Sequence, residues 1–138
     1  MFVNYKLNLL FNILFINILT SCTDNTSKTS FKLVLNFKNS KQDSIYIKEI
    51  DPTNIIPVDS LYLDALGKCE KNITIGEPTF LRIEKKNNQF ITIFASPGET
   101  IEIKADPLTM NYSVKGSIHS QLIKQLADNN SEILNSID

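Results

Sequence analysis

The sequence contains no Trp, one His and two Cys among 138 residues. Each shortage removes a class of function. A zinc site of the common kind takes three or four nitrogen or sulfur ligands, so this chain is expected to hold no metal, and no other cofactor motif stands in it. No Cys-x-x-Cys is present. Thiol-disulfide exchange needs one thiolate to attack and a second to resolve the mixed disulfide, so the chain by itself is expected not to be an enzyme of that kind. Charge of either sign is thin. Lys and Arg total 14, Asp and Glu 15, and the net charge is -1. Nucleic-acid binding needs many cations on one face. Lys85-Lys86 is the only basic pair and suits a hairpin tip, so no nucleic-acid partner is expected. The length points to one domain.

Long hydrophobic runs are missing as well. The longest apolar stretch, Leu7 to Leu19, is broken by Asn8, Asn12 and Asn17. Its roughly 13 residues fall short of the ~20 that span a bilayer. Preceded by Lys6 and followed by Thr20-Ser21-Cys22, residues 1–21 read as a signal peptide. Leu19-Thr20-Ser21-Cys22 resembles a lipobox, in which the cysteine is acylated and becomes the new N-terminus. An ordinary signal-peptidase site and a retained helix are the competing readings, but only the lipobox accounts for a cysteine at this place. Cys22 is thus the expected lipidation site, the membrane the expected partner through that anchor, and the bacterial cell envelope, on its periplasmic or surface face, the expected location. Stable anchoring takes more than one acyl chain, which diacylglycerol with an N-acyl group supplies. Residues 22–30 continue with Thr23-Asp24-Asn25-Thr26-Ser27-Lys28-Thr29-Ser30. This run holds no apolar residue and reads as a flexible tether.

From Phe31 the pattern turns to period two. Phe31, Leu33, Leu35 and Phe37 alternate with Lys32, Val34, Asn36 and Lys38, a half-buried strand. Further strands are expected over Ile45–Ile50, Val58–Leu63, Cys69–Ile75, Thr79–Lys85, Gln89–Ala95, Thr100–Lys104 and Met110–Val114. Turn residues separate them: Asp51-Pro52-Thr53-Asn54, Asp64-Ala65-Leu66-Gly67-Lys68, Asn87-Asn88, Ser96-Pro97-Gly98-Glu99 and Asp106-Pro107-Leu108-Thr109. Gly67 is the expected positive-φ residue of its turn. Asn87-Asn88 suits a tight hairpin, and Pro97-Gly98 a type II turn. About eight strands at regular spacing predict a mainly β domain over residues 31–116, an antiparallel β-sandwich or barrel.

After Gly116 the period becomes helical. Residues 117–138 read as a C-terminal helix or connector with Ser117 as N-cap. Ile118, Leu122, Leu126, Ile133 and Ile137 lie near one stripe, with Ile123 beside it. Asp128-Asn129-Asn130-Ser131 is expected to weaken or split the helix.

The order of these pieces carries a resemblance. After the lipobox and tether come Phe31-Lys32-Leu33, Val58-Asp59-Ser60-Leu61, Asp64-Ala65-Leu66-Gly67-Lys68 and Pro78-Thr79-Phe80-Leu81-Arg82-Ile83. Ser96-Pro97-Gly98-Glu99-Thr100-Ile101 and Tyr112-Ser113-Val114-Lys115-Gly116-Ser117 complete it. Residues 31–126 resemble the N-terminal β domain of unknown function in Bacteroidota-type lipoproteins, which in many members precedes a thioredoxin-like domain of the AhpC/TSA or TlpA kind. Cys69 departs from that pattern, which tends to have an aromatic or other apolar residue after the Asp-x-x-Gly turn. The resemblance implies association with a thioredoxin-like domain or protein. It implies no redox chemistry in these residues.

Residues able to do chemistry are few, and each has a plain alternative. His119 falls in the first helical turn, where the dipole disfavours imidazolium, and reads as solvent-facing. Asp59 and Asp64 could pair as acid and base, but hairpin-end and solvated positions explain them at least as well. Ser117 and Ser120 lack the base and orienting acid that a triad requires. Gly116-Ser117 offers only a generic anion site. Phe37, Phe80, Phe90 and Phe94 are expected in the core, and Cys69 as a small buried apolar residue. No catalytic, cofactor-binding or metal-binding residue is expected. The function expected is a non-catalytic, lipid-anchored binding or accessory module. The alternative is the front part of a thioredoxin-like oxidoreductase.

Overall fold

The computed structural model describes residues 29–106 and 111–135. Among these residues eight strands form: β1 (Ser30–Phe37), β2 (Ser44–Ile50), β3 (Ile55–Tyr62), β4 (Lys68–Thr74), β5 (Thr79–Lys85), β6 (Phe90–Ala95), β7 (Thr100–Asp106) and β8 (Asn111–Lys115). One helix, α1 (Ile118–Asn135), follows them. The strands make two four-stranded sheets, in the orders β4-β1-β7-β8 and β3-β2-β5-β6. The fold is therefore a sandwich with a terminal helix, not a closed barrel.

Alternation builds the core. Phe31, Leu33, Leu35 and Phe37 of β1 are all buried, and meet Ile45 and Ile47 of β2, Leu81 and Ile83 of β5, and Ile101 and Ile103 of β7. Burial of this inner face fixes the register, because a one-residue slip would turn every apolar side chain to water. Most pairings are antiparallel, but β1 and β7 run parallel, with Leu33 opposite Ile101. Alternation has the same period in either direction, which is why the sequence did not distinguish this pair.

The turns follow residue chemistry. Gly67 has φ 76° and Gly98 φ 87°, and Glu99 N–H donates to Ser96 C=O at 3.2 Å to close the latter turn. At the β5–β6 hairpin only Asn88, not Asn87, takes positive φ, at 63°. Lys85 and Gln89 bracket a three-residue loop there, with Lys85 N–H on Gln89 C=O at 2.8 Å.

Two expectations need correcting. The third strand begins at Ile55 rather than Val58. It accommodates Pro57 because β3 is an edge strand, where a missing N–H costs the sheet nothing. The pairing of β3 with β2 slips beside Pro57, since Ile47 faces Asp59 while Lys48 faces Pro57. This leaves Val58 as a bulge and blunts the edge. The helix is also unbroken through Asp128–Ser131. Lys124 pairs with Asp128 one turn on, and Ser131 Oγ donates to Asp128 C=O at 2.7 Å.

The sandwich has two open seams, closed differently. Between edge strands β3 and β4, Asp59 accepts a hydrogen bond from Lys71 Nζ at 2.9 Å, so an ion pair joins the sheets. Between β6 and β8 the helix lies across both strands. Gly116, with φ 87°, passes so close to β7 that a Cβ there would lie 1.8 Å from Thr100 O.

Candidate functional site

The helix docks through serines. Ser120 is fully buried. Its Oγ accepts from Phe94 N–H at 3.0 Å and donates to Phe94 C=O at 2.8 Å. Ser117 Oγ donates to the same carbonyl at 3.2 Å and receives Ser120 N–H at 3.4 Å, a long N-cap contact. One side chain thus supplies both hydrogen bonds that a neighbouring strand would give the free edge of β6 at Phe94. The serines weighed as nucleophiles act as strand substitutes.

This docking leaves the apolar stripe outside. Residues 120, 124, 127 and 131 turn toward the seam, while Ile118, Leu122 and Leu126 lie on the opposite side of the helix. They are 70%, 53% and 63% exposed. Their flanks are His119, Gln121, Gln125 and Asn129, none of them an acid, a Lys or an Arg. The only oppositely charged side chains over this part of the helix, Lys124 and Asp128, pair with each other, and Lys124 Nζ sits 4.8 Å from the Tyr112 ring centroid.

The outer face of the β3-β2-β5-β6 sheet is the second apolar surface. The expectation that all four phenylalanines are core holds for Phe37 and fails for the others. Phe80 and Phe90 are 46% and 45% exposed, and Phe94 is half-buried on the same face. The cause is apolar residues on both faces of these strands. Leu81, Ile83, Ile91 and Ile93 are more continuous and take the inner side, sending the rings outward. Phe80 and Phe94 are cross-strand partners with ring centroids 4.9 Å apart at 70°. His119 adds an edge contact to Phe94 at 5.3 Å. Ile55 faces Ile50 across β3 and β2, and one step beyond the Glu49–Leu81 pair brings Ile50 level with Phe80. A single apolar row therefore crosses all four strands and reaches the first turn of α1.

Above that row lies a charged centre that the sequence did not disclose. Glu84 is buried, with Oε2 3.0 Å from both Lys48 Nζ and Arg82 Nε. The Arg82 contact is ionic rather than a directed hydrogen bond, since its Nε–H finds no acceptor. The Arg82 guanidinium carbon lies 3.7 Å from the Phe90 ring centroid, a stacked cation–π contact. The alternation of Phe80, Arg82 and Glu84 was the available signal, because cross-strand pairs of such residues stabilise sheets.

The remaining chemistry-bearing residues are dispersed. Asp59 is held below the usual carboxylate range, first by the hydrogen bond from Lys71 and then by Ser60 N–H. Asp64 is lowered by the backbone N–H groups of Lys68 and Leu66, each 2.8 Å from its Oδ1. It shapes a turn and is not poised as an acid. Cys69 packs beside the core, and burial pushes its thiol upward, away from a reactive thiolate. Burial likewise raises the Tyr112 phenol, with Asp128 adding to it. A cavity of about 60 Å³ opens between Phe37, Ile83, Phe90, Ile91 and Tyr112, and a wider open cleft of about 680 Å³ lies along the helix seam, lined by Phe90, Tyr112, Ile123 and Lys124. Among the described residues no three His, Cys, Asp or Glu side chains come together to hold a metal. Cys22, the expected lipidation site, lies outside the described residues.

No known family model and no curated protein sequence matches the chain. Its surfaces therefore have to carry the functional argument. Among the described residues no helix is long and apolar enough to cross a membrane.

Proposed function

We propose that this chain is a lipid-anchored module of a bacterial cell envelope that does no chemistry itself and holds a thioredoxin-like domain or protein near the membrane. The anchor is Cys22, on the strength of Leu19-Thr20-Ser21-Cys22 and the polar run behind it. The single observation that carries the binding role is the outward apolar stripe of α1, with Ile118, Leu122 and Leu126 all more than half exposed.

Magnitudes favour a partner that shares the membrane. Full burial of such a side chain contributes about 1.5–3 kcal/mol, so covering the exposed parts of three yields on the order of 4 kcal/mol. That corresponds to a dissociation constant near ~1 mM, before the cost of association. A freely diffusing partner would hold on poorly. A partner anchored in the same leaflet, or joined in the same polypeptide, meets an effective concentration of about that size.

The same stripe suits the second reading, in which the residues described belong to the front part of a thioredoxin-like oxidoreductase. An in-frame Trp-Cys-x-x-Cys beyond the codon for Asp138 decides for it, and an immediate stop codon decides against it. The binding role is tested in cells with a photo-cross-linking residue at Leu122. A product containing a Cys-x-x-Cys thioredoxin-like protein supports the role. Cross-links confined to lipid or to a second copy of this chain reject it.

A further inference from the structure

The polypeptide enters the sandwich at one particular end. Ile75 N–H donates to Thr29 C=O and Gly98 N–H to Ser30 C=O, at 2.9 and 2.8 Å. The entry point is thus pinned between the β4–β5 and β6–β7 connections. The row of Ile55, Ile50, Phe80 and Phe94 lies at this same end, because Phe80 is the second residue of β5 and Phe94 the last but one of β6. The first helical turn is here too, since Ser117 and Ser120 bind Phe94. Exposed apolar side chains stand at both ends, and Leu122 and Leu126 run on along α1 away from the entry end. The entry end shows Ile50, Ile55, Ile56, Phe80 and Ile118, all without a polar atom. The opposite end shows Tyr46, Tyr62, Leu66 and Phe90, half of them tipped with hydroxyls.

We infer that the entry end is a lipid-contact surface, which seats Ile50, Ile55 and Phe80 at the headgroup–acyl boundary of a phospholipid bilayer, with Ile118, the first residue of the partner stripe, at its rim. This rests on the proposed anchor at Cys22. Cys22 and Thr29 are seven Cα–Cα steps apart, a span of at most about 25 Å. A strand of this sandwich is itself about 25 Å long. The anchor at Cys22 therefore lies within one strand length of the entry end, which favours that end over the opposite one at the bilayer.

Charge at the site selects the kind of contact. Lys48 and Arg82 lie one row above Ile50 and Phe80, offset by Glu84 between them and by Asp51 in the turn after β2. Those charges cancel within the row, and Glu77 and Glu99 in the adjoining turns add only negative charge, so the contact is apolar, does not draw anionic lipid and needs no salt-sensitive attraction. Shallow seating of about 5–10 Å is the depth reached by apolar faces that lie in an interface.

The test uses the full chain, expressed with its own leader, extracted from membranes and reconstituted in phosphatidylcholine vesicles carrying a shallow spin-labelled lipid. In a Cys69→Ser background, an environment-sensitive fluorophore is placed through Ile55→Cys, Phe80→Cys or Ile118→Cys at the entry end, or Tyr62→Cys at the opposite end. The intact mass of each sample is recorded. In acylated protein the three entry-end labels are expected to be blue-shifted and quenched several-fold more than the Tyr62→Cys label, in low and high salt alike. Equal quenching at both ends of acylated protein overturns the contact and leaves the anchor standing. An unacylated mass removes the anchor and the contact with it. Proximity through the tether alone is separated by adding Ile50→Asp and Phe80→Asp to the Ile118→Cys sample. Loss of quenching confirms apolar seating, and unchanged quenching refutes it.

Discussion

Ser120 shows how one side chain can decide the placement of an element. It lies fully buried against β6 and satisfies both backbone groups of Phe94. Replacing it with Ala strands the Phe94 N–H, while the Phe94 C=O keeps Ser117 Oγ, and an unmet buried donor costs about 1–3 kcal/mol. Urea unfolding of Ser120→Ala is expected to show that loss, whereas Gln121→Ala, on the exposed side, stays within about 0.5 kcal/mol. Cys69 gives a second prediction. Burial raises its thiol, so little thiolate forms near neutrality and alkylation of the folded chain is slow, accelerating above the ordinary thiol range. Fast labelling at pH 7, comparable with the urea-unfolded chain, would refute this. Asp59 gives a third. Its folded carboxyl is lowered by Lys71, so its contribution is present above the unfolded value of about 4 and is lost as pH falls through the lower folded value. Denaturation at pH 7 and pH 3 should show a smaller acid loss in Asp59→Asn than in the parent chain.

At the level of elements, α1 is amphipathic with its apolar side turned outward. The stripe of Ile118, Leu122 and Leu126 was legible as periodicity, but periodicity cannot say which side meets the sandwich. The hydrogen-bond demand of β6's free edge decides that, and no hydropathy pattern encodes it. The same limit explains the phenylalanines. With apolar residues on both faces of β5 and β6, alternation alone left the inner face open, and the unbroken set of Leu81, Ile83, Ile91 and Ile93 settled it. Turns were the most legible feature, because Gly67, Asn88 and Gly98 occupy conformations that other residues enter at a cost. The outward stripe also makes a prediction. Leu122→Ser with Leu126→Ser removes no contact inside the domain, so thermal stability should hold within about 0.5 kcal/mol while cross-linking to the proposed thioredoxin-like partner is lost. A large drop in unfolding temperature would instead mean that the stripe packs within the chain.

For the molecule as a whole, the eight-stranded β domain with its terminal helix followed from strand spacing and the switch of period after Gly116, whereas spacing left sandwich and barrel open and the two separate sheets decide for the sandwich. The parallel β1–β7 pair did not, since direction leaves no mark on alternation. Residues able to do chemistry are spread over a seam, a turn and a helix start, and each is engaged in holding the fold. The features left over are surfaces: an apolar stripe on α1 and an apolar row at the end where the chain enters. Both make sense for a domain that works against other bodies, provided Cys22 holds it at a membrane. The intact mass of the mature chain purified from membranes tests that condition most directly. Anchoring through Cys22 requires a polypeptide beginning at Cys22 with a diacylglyceryl group on its sulfur. A mass that retains residues 1–21, or that leaves Cys22 unmodified, would contradict it.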